Sequence, residues 1–209
     1  MKGERKMINT EKFYTDNIYF MQKTMGEYDM GLLEHSMCVA QVAMDIALEM
    51  GVDKKEATII YMQGLVHDFG KVFIPKEIML KEGKLTDEEF EIIKMHPELG
   101  YEYLNEVGLG ELAGPALTHH NREDNTGYGG IEGSFDYASK IVAVADVFSA
   151  MIQNRVYSNA SSLAQAGAEI NRVAGTQLNE RVVQAFNRVL IRDYLTLEEV
   201  ERKQVLWVV

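Results

Sequence analysis

Apolar residues along most of this chain recur at three- and four-residue steps and almost nowhere alternate strictly, which is the period of helices and not of strands. Val39, Val42, Ala43, Ile46, Ala47 and Met50 form one such stripe, with Gly51 placed to cap its end, so a helix is predicted that begins near or before His35. A second is predicted over 54–68 through Ile59, Met62, Leu65 and Val66, with Gly70 as its stop and His67 and Asp68 in its last turn. The stretch 73–84 holds Pro75 and Gly83 and is predicted to be a connection with at most one short helical turn.

Thr86 and Glu89 have the spacing of a capping box, opening a helix whose apolar stripe is Phe90, Ile92 and Ile93. Pro97 directly follows His96, so that helix stops or kinks there and another runs over 98–105, holding His96 at a junction. Gly108 and Gly110 precede a short helix over 111–120 that delivers His119 and His120 at its end. The segment 121–134, rich in Gly, Asn and Asp, is a surface loop of the length that usually has a job. Asp136 can cap a strongly apolar helix reaching Ile152 and carrying Asp146. Later helices are predicted over 161–173, over 179–190 with Asn179 as cap, and over 196–203 with a Thr196–Glu199 capping box.

A chain of 209 residues can bury one good core and would be cramped as two, so a single domain over 1–209 is expected, with about 1–30 as a helical extension and about 191–209 as a tail. Its 46% hydrophobic and 25% charged residues are ordinary for a globular protein. No apolar run approaches the roughly 20 residues a bilayer needs, and residues 1–12 lack a signal-peptide core, so a cytoplasmic location without a membrane partner is expected. The single cysteine, Cys38, excludes an internal disulfide and is expected to be a small buried core residue. A formal charge of -11 opposes long nucleic acid as a partner, although metals and a few placed cations can reverse the field inside one pocket.

All five histidines, His35, His67, His96, His119 and His120, fall at or near helix ends or junctions. Adjacent helical residues point about 100° apart, which lets the doublets His67-Asp68 and His119-His120 flank a pair of metals. Imidazole and carboxylate together suit Fe, Mn or Zn, and two-metal sites are recurrent machinery for phosphoester cleavage. One histidine alone is more often a satisfied core residue than a ligand. Asp146 changes that balance, because a carboxylate among Val142, Ala143, Ala145 and Val147 is costly to bury unpaired and a cation would answer the cost.

The order of motifs resembles the HD-GYP subgroup of the HD-domain metal-dependent phosphohydrolases over roughly residues 33–186. The segments that carry the resemblance are EHSMCVA with His35, HDFGK from His67 followed by Ile74-Pro75, KEGKLTDEEF, and MHPELGYEYL with His96. They continue with HHNREDNTGYGG from His119, ADVFSAMIQNR with Asp146 and AGTQLNERVVQAF from Ala174. The resemblance implies an all-α, HD-domain-like helical bundle and hydrolysis of cyclic di-GMP to the linear dinucleotide pGpG or to GMP. It implies two divalent metal ions, Fe or Mn with Zn also admitted, one held by His35, His67, Asp68 and Asp146 and the other by His96, His119 and His120. Asp68 would bridge both and serve catalysis together with Lys71. Lys71, Arg122, Asp124, Tyr128 and Arg155 would contact the cyclic dinucleotide, with Asp124 orienting the Arg122 fork.

Five positions depart from the family pattern. Gly129 replaces the proline of the Gly-Tyr-Pro motif, which exchanges a rigid turn for a permissive one. Asn121 stands where many members carry glutamate, and Asn125 where they carry glycine, a mild change because Asn tolerates left-handed backbone. Gly31 occupies the place of a glutamate that in some members helps hold a third metal, so two metals are expected. Ser158 replaces a basic residue and removes one phosphate contact. Since the whole ligand set survives while the substrate-facing set is thinned, an active hydrolase of changed affinity is expected. The alternatives are an HD-type hydrolase of another cyclic dinucleotide or nucleotide, and a catalytically weak signalling or interaction module. A homodimer or a regulatory protein partner would supply any regulation.

Overall fold

The computed structural model describes residues 10–129, 136–153 and 162–195. Helix α1, Thr10–Tyr28, is followed by α2, Met30–Glu49, and α3, Lys54–Val66. A 3-10 turn, Phe69–Phe73, and the one-turn α4, Lys76–Met79, lead to α5, Asp87–Ile93, and α6, His96–Glu106. A second 3-10 turn, Gly110–Leu112, runs into α7, Ala113–Thr118. After the loop come α8, Tyr137–Ile152, α9, Leu163–Arg172, and α10, Glu180–Val189, which passes into a π-helical segment, Leu190–Leu195. Among the described residues there is no strand beyond an isolated bridge between Ala174 and Leu178, so the fold is all-α as expected.

The caps explain most boundaries. Asp29 accepts from the amides of Gly31 and Leu32, Asp53 from those of Lys55 and Glu56, Asp136 from Ser139 and Asn179 from Val182. The Thr86–Glu89 capping box is formed in both directions, and a second box that the sequence reading passed over, Ser162 with Gln165, opens α9. Gly51 has φ +84 and ends α2, with the Val52 amide reaching back to the Ala47 carbonyl.

Apolar faces gather into two clusters. One packs Val39, Val42 and Ile46 of α2 against α8, α9 and α10, with Phe148 and Phe186 edge to face at 5.0 Å. The other packs Met21 and Met25 of α1 with Leu32, Val66, Phe69, Leu104, Leu109 and Leu112. The stretch expected to be an N-terminal extension is therefore core material where it is described, since Met21 is 1% and Met25 0% exposed. Each such side chain contributes about 1.5–3 kcal/mol by leaving water. Helix α2 belongs to both clusters, Leu32 to one and Val39 to the other, and His35 lies between them.

Several boundaries differ from the sequence reading. Helix α3 stops at Val66, two residues short of Asp68, and Gly70 is no stop signal. A Cβ at Gly70 would lie 2.0 Å from the His96 carbonyl oxygen and 2.6 Å from the Gly100 amide nitrogen, so glycine is required there for close packing on α6. His96 is itself the first residue of α6, and the helix expected over 111–120 divides into the 3-10 turn and α7. The stripe Phe90, Ile92 and Ile93 is not buried, because α5 lies at the rim and Phe90 is 43% exposed. Cys38 is half-buried, packed on the edge of the larger cluster and not inside it. The helix expected over 196–203 and the first residue of that expected over 161–173 lie outside the described residues.

Candidate metal centre

Five elements deliver the seven side chains singled out from the sequence. His35 projects from the second turn of α2, and His67 and Asp68 follow the end of α3. His96 opens α6, His119 and His120 follow α7, and Asp146 lies in the middle of α8. A buried bond from the Thr118 hydroxyl to that of Ser139, 2.6 Å, fixes the end of α7 against α8. The approach of α3 to α2 needs Gly64, where a Cβ would stand 3.0 Å from the Ala40 Cα.

All seven converge. The Asp68 Oδ1 lies 3.2 Å from His96 Nε2 and 3.6 Å from His119 Nε2. Its Oδ2 faces the other way, 3.4 Å from His67 Nε2 and 3.6 Å from His35 Nε2. Asp146 Oδ1 is 2.9 Å from His35 Nε2 and 3.9 Å from His67 Nε2, and His120 Nε2 is 3.3 Å from His96 Nε2. The donors thus fall into two groups, Asp68, His96, His119 and His120 beside His35, His67 and Asp146, each with its ligand atoms within 4.8 Å of one another. One carboxylate, Asp68, has an oxygen toward each group.

The outward ring nitrogens decide what the inward ones can do. His67 Nδ1 donates to the Gly64 carbonyl at 2.6 Å, His96 Nδ1 to Ile93 at 2.7 Å and His119 Nδ1 to Pro115 at 2.8 Å. A carbonyl only accepts, so each Nδ1 carries a proton, and in its neutral form each ring presents an Nε2 lone pair to the centre. His35 Nδ1 uses the Ser149 hydroxyl, 2.9 Å away, whose own proton points to the His35 carbonyl at 3.5 Å. Ser149 went unnoticed in the sequence because it looks like any small residue on an apolar helix. Its spacing from Asp146 puts the two on one face, which is the signal that could have found it. Ser149→Ala is expected to remove the hydroxyl that helps fix the His35 ring and to weaken metal binding about 10–100-fold. A competitive metal titration measures this, and unchanged affinity would remove Ser149 from the supporting shell.

Burial pushes the imidazoles of His35, His96 and His120 toward the neutral form a metal needs. Burial lowers His67 too, but the Asp68 carboxylate outweighs it and the net shift is upward. For Asp68, burial alone would raise the carboxyl; the Lys71 ammonium and the His67 ring overcome it and hold the group well below the usual range. Asp146 follows the same pattern through His35.

These residues fit divalent cations. The buried His67 Nε2 and Asp68 Oδ1 have no hydrogen-bond partner among the described residues, and an orphaned buried acceptor is expensive. Lone pairs face lone pairs at 3.3–3.4 Å between His96 and its two histidine neighbours, an arrangement that a cation between them makes favourable. Imidazole nitrogens with carboxylate oxygens are the donor set of Fe, Mn and Zn.

The residues expected on the substrate side lie around this centre, with one outside the described residues. Lys71 is three residues past Asp68 and places its ammonium 2.5 Å from Asp68 Oδ2. Arg122 forms a two-pronged pair with Asp124, Nε to Oδ1 at 3.0 Å and Nη2 to Oδ2 at 2.9 Å, and Thr126 also donates to Asp124. Tyr128 stacks on His120, ring centroids 4.4 Å apart and 22° from parallel. Arg155 and Ser158 lie outside the described residues. A cavity of about 170 Å³ opens beside His119, His120 and Asp146, lined also by Arg122, Tyr128 and Gln177. Backbone bonds from Glu123 and Asp124 to the carbonyls of Gln177 and Thr176 tie this loop to the turn before α10, a connection no sequence spacing announces.

The Gly-Tyr-Gly substitution has a structural reason. Gly129 has φ +80, a region closed to proline, whose ring holds φ near −65°. Asn125 has φ 59, the left-handed conformation expected of it. Restoring the family residue, Gly129→Pro, is therefore expected to harm this loop, destabilising by about 1–3 kcal/mol. Thermal unfolding would show a lower midpoint; an unchanged or higher one would mean that the loop accepts the other turn.

Comparison with known proteins agrees with this geometry. A family model described as HD domain matches residues 20–182. A cyclic di-GMP phosphodiesterase of Thermotoga maritima is 38% identical over 188 residues, 84% of this chain and 51% of that protein. The cyclic di-GMP phosphodiesterase response regulator RpfG of Xanthomonas campestris is 36% identical over 169 residues, 78% of this chain and 43% of its own length. This chain spans about half, or less, of the curated relatives it matches. Among solved structures, the HD domain of the Listeria monocytogenes phosphodiesterase PgpH, in complex with cyclic-di-AMP, superposes with a TM-score of 0.66 at 20% identity, covering 90% of this chain and 99% of that one. That likeness speaks to the fold alone. Phosphohydrolases with HD domains depend on metals, and the His/Asp cluster described above is a candidate for that metal site. By sequence, fold and ordered motifs, this chain belongs to the HD domain family, as an HD-GYP-type phosphohydrolase domain.

Proposed function

We propose that this chain is a binuclear-metal phosphodiesterase that hydrolyses cyclic di-GMP to pGpG or GMP. The observation that carries the reading is Asp68, buried at 1% exposure, with one oxygen toward each of two donor groups. His35, His67, Asp68 and Asp146 would hold one divalent ion and His96, His119 and His120 with Asp68 the other, Fe or Mn being the metals these donors suit. When bound, the pair supplies an acidified water nucleophile and neutralises charge on the phosphoryl oxygens. Lys71 retains further N–H donors beyond its bond to Asp68 and offers them to a phosphate oxygen beside the centre. Asp124 accepts from Nε and Nη2 along one edge of the Arg122 guanidinium, leaving the remaining N–H groups oriented for substrate. Tyr128 excludes water from one side of His120. Arg155 would add a phosphate contact from the segment after α8.

No described helix is long and apolar enough to cross a membrane, and the charge of -11 disfavours long nucleic acid; inside the pocket, two cations with Lys71 and Arg122 would reverse that field for a small anionic dinucleotide. Incubating Fe- or Mn-loaded protein with cyclic di-GMP is expected to yield pGpG or GMP. Absence of product with both metals, in protein shown to contain them, would overturn the proposal.

A further inference from the structure

Helix α1 buries Met21 and Met25 on one side, with Phe13 and Ile18 packed beside them. Its other side is exposed among the described residues and carries Lys12, Asp16, Tyr19, Phe20, Lys23 and Glu27. Successive helical residues turn by about 100°, so these six share one stripe along the helix. Tyr19 is 68% and Phe20 53% exposed, two large rings side by side in water. A single exposed aromatic is ordinary, but a pair with charges at both ends has the apolar centre and polar rim of a protein interface.

The order of charges along the stripe selects the partner. Lys12 and Glu27 stand equally far from the point midway between Tyr19 and Phe20, and so do Asp16 and Lys23. A second copy of α1, antiparallel about a two-fold axis through that point, therefore sets Lys12 opposite Glu27 and Asp16 opposite Lys23, each twice. The rings of both copies meet at the axis. Thr15 and Thr24, also equidistant, fall at the margins and add little bulk. A two-fold interface has to be self-complementary in this sense, residue i meeting j while j meets i. A parallel, in-register pair would instead set every charge against its like.

Within one helix Lys12 pairs with Asp16 at 2.9 Å, and Lys23 lies 3.7 Å from Glu27. In the antiparallel pair these come side by side, with signs alternating around a square at each end. The stripe is neutral on a chain whose charge of -11 opposes association elsewhere on the surface. Exposed ion pairs add little affinity and fix orientation, whereas four rings leaving water supply the attraction.

We infer that the outer face of α1 is a homodimer interface, on which a second copy of this chain packs antiparallel with Tyr19 and Phe20 at the centre. It uses no metal ligand and no cavity residue, so it stands apart from the phosphodiesterase reading. A pair of single helices buries less than the roughly 1,200–2,000 Å² of a standard interface, so a reversible dimer with Kd on the order of 10–100 μM is expected.

Sedimentation of the full chain, from about tenfold below to about tenfold above that Kd, should show the mass passing from monomer to dimer. Phe20→Asp should weaken the dimer at least about tenfold. Its helix content should not change, because Phe20 belongs to neither apolar cluster. Asp16→Lys and Lys23→Asp, each alone, should weaken self-association about tenfold by setting like charges opposite. Mixing these two variants, one of them fluorescently labelled, should restore a dimer, since each then meets the opposite sign at both positions. If Phe20→Asp loses helix content, the two charge variants decide alone. Wild type that stays monomeric throughout would overturn the inference and leave the stripe to a different partner or to solvent. A dimer unaffected by all three substitutions would overturn it by placing the contact elsewhere. A mixture that associates no better than its components would overturn the antiparallel pairing on which it rests.

Discussion

Asp68→Ala, purified anaerobically, is expected to retain a small fraction of the two metal equivalents found in the unaltered protein. The reason is geometric: the two oxygens of this carboxylate lie 3.2 Å and 3.4 Å from imidazole nitrogens of different donor groups, His96 and His67. Any other ligand belongs to one group, so its loss should cost one ion more than the other, whereas Asp68 serves both. Its removal also strips the negative charge that offsets two cations in a dry site. Transition-state stabilisation by such ions is worth several kcal/mol, and at about 1.4 kcal/mol per decade activity should fall roughly a thousandfold. Metal analysis beside a turnover assay is the check. Two equivalents retained in the variant would sink the bridging role, and one retained would assign Asp68 to a single ion.

Gly70→Ala should be nearly as damaging without touching a ligand. The added methyl would stand 2.0 Å from the His96 carbonyl oxygen and 2.6 Å from the Gly100 amide nitrogen, both backbone atoms that cannot rotate away. The 3-10 turn carrying Lys71 must then move off α6, taking Asp68 away from His96. Overpacking typically costs 1–3 kcal/mol, and with rigid obstacles on both sides about 3 kcal/mol or more is expected. For a chain of this size that lowers the melting midpoint by roughly 6–12 °C. Metal affinity should fall with it, because Asp68 and His96 face each other across this contact. A variant as stable as the parent with undiminished metal binding would show that α6 can shift at little cost.

The two results would separate chemistry from architecture. Asp68→Ala should lose metal while keeping its helix packing, since most of the apolar surface lies in clusters that do not include it. Gly70→Ala should lose both.

Much of the helical framework was legible along the chain, because helix stripes and caps are local. Asp136, Asn179 and the Thr86–Glu89 box do what their positions announced. The short connection after Phe73 holds the single helical turn expected of it, α4. Misjudged points were those where a residue serves a distant neighbour. Gly70 looked like a helix stop and is a packing glycine; Ser149 looked like filler and holds His35; α5 looked amphipathic but lies at the rim, Phe90 6.4 Å from the Tyr128 ring. Within the expected N-terminal helical extension, Met21 and Met25 of α1 pack into the second cluster, which local periodicity did not announce. In each case the cause is a contact between residues far apart in sequence, which periodicity cannot report.

Sequence alone determined the residue types, the helical period and the motif order, and these sufficed to nominate His35, His67, Asp68, His96, His119, His120 and Asp146 as one set. It could do so because donor chemistry is a property of the side chain itself. Only the tertiary structure decided that the set divides into two groups sharing Asp68, that backbone carbonyls and Ser149 turn the Nε2 lone pairs inward, and that a cavity lined by Arg122, Tyr128 and Gln177 opens beside them. Those facts depend on ångström-scale distances between elements more than a hundred residues apart in places, as His35 and Ser149 are. Such distances are set by how whole helices pack, not by any local stretch of chain.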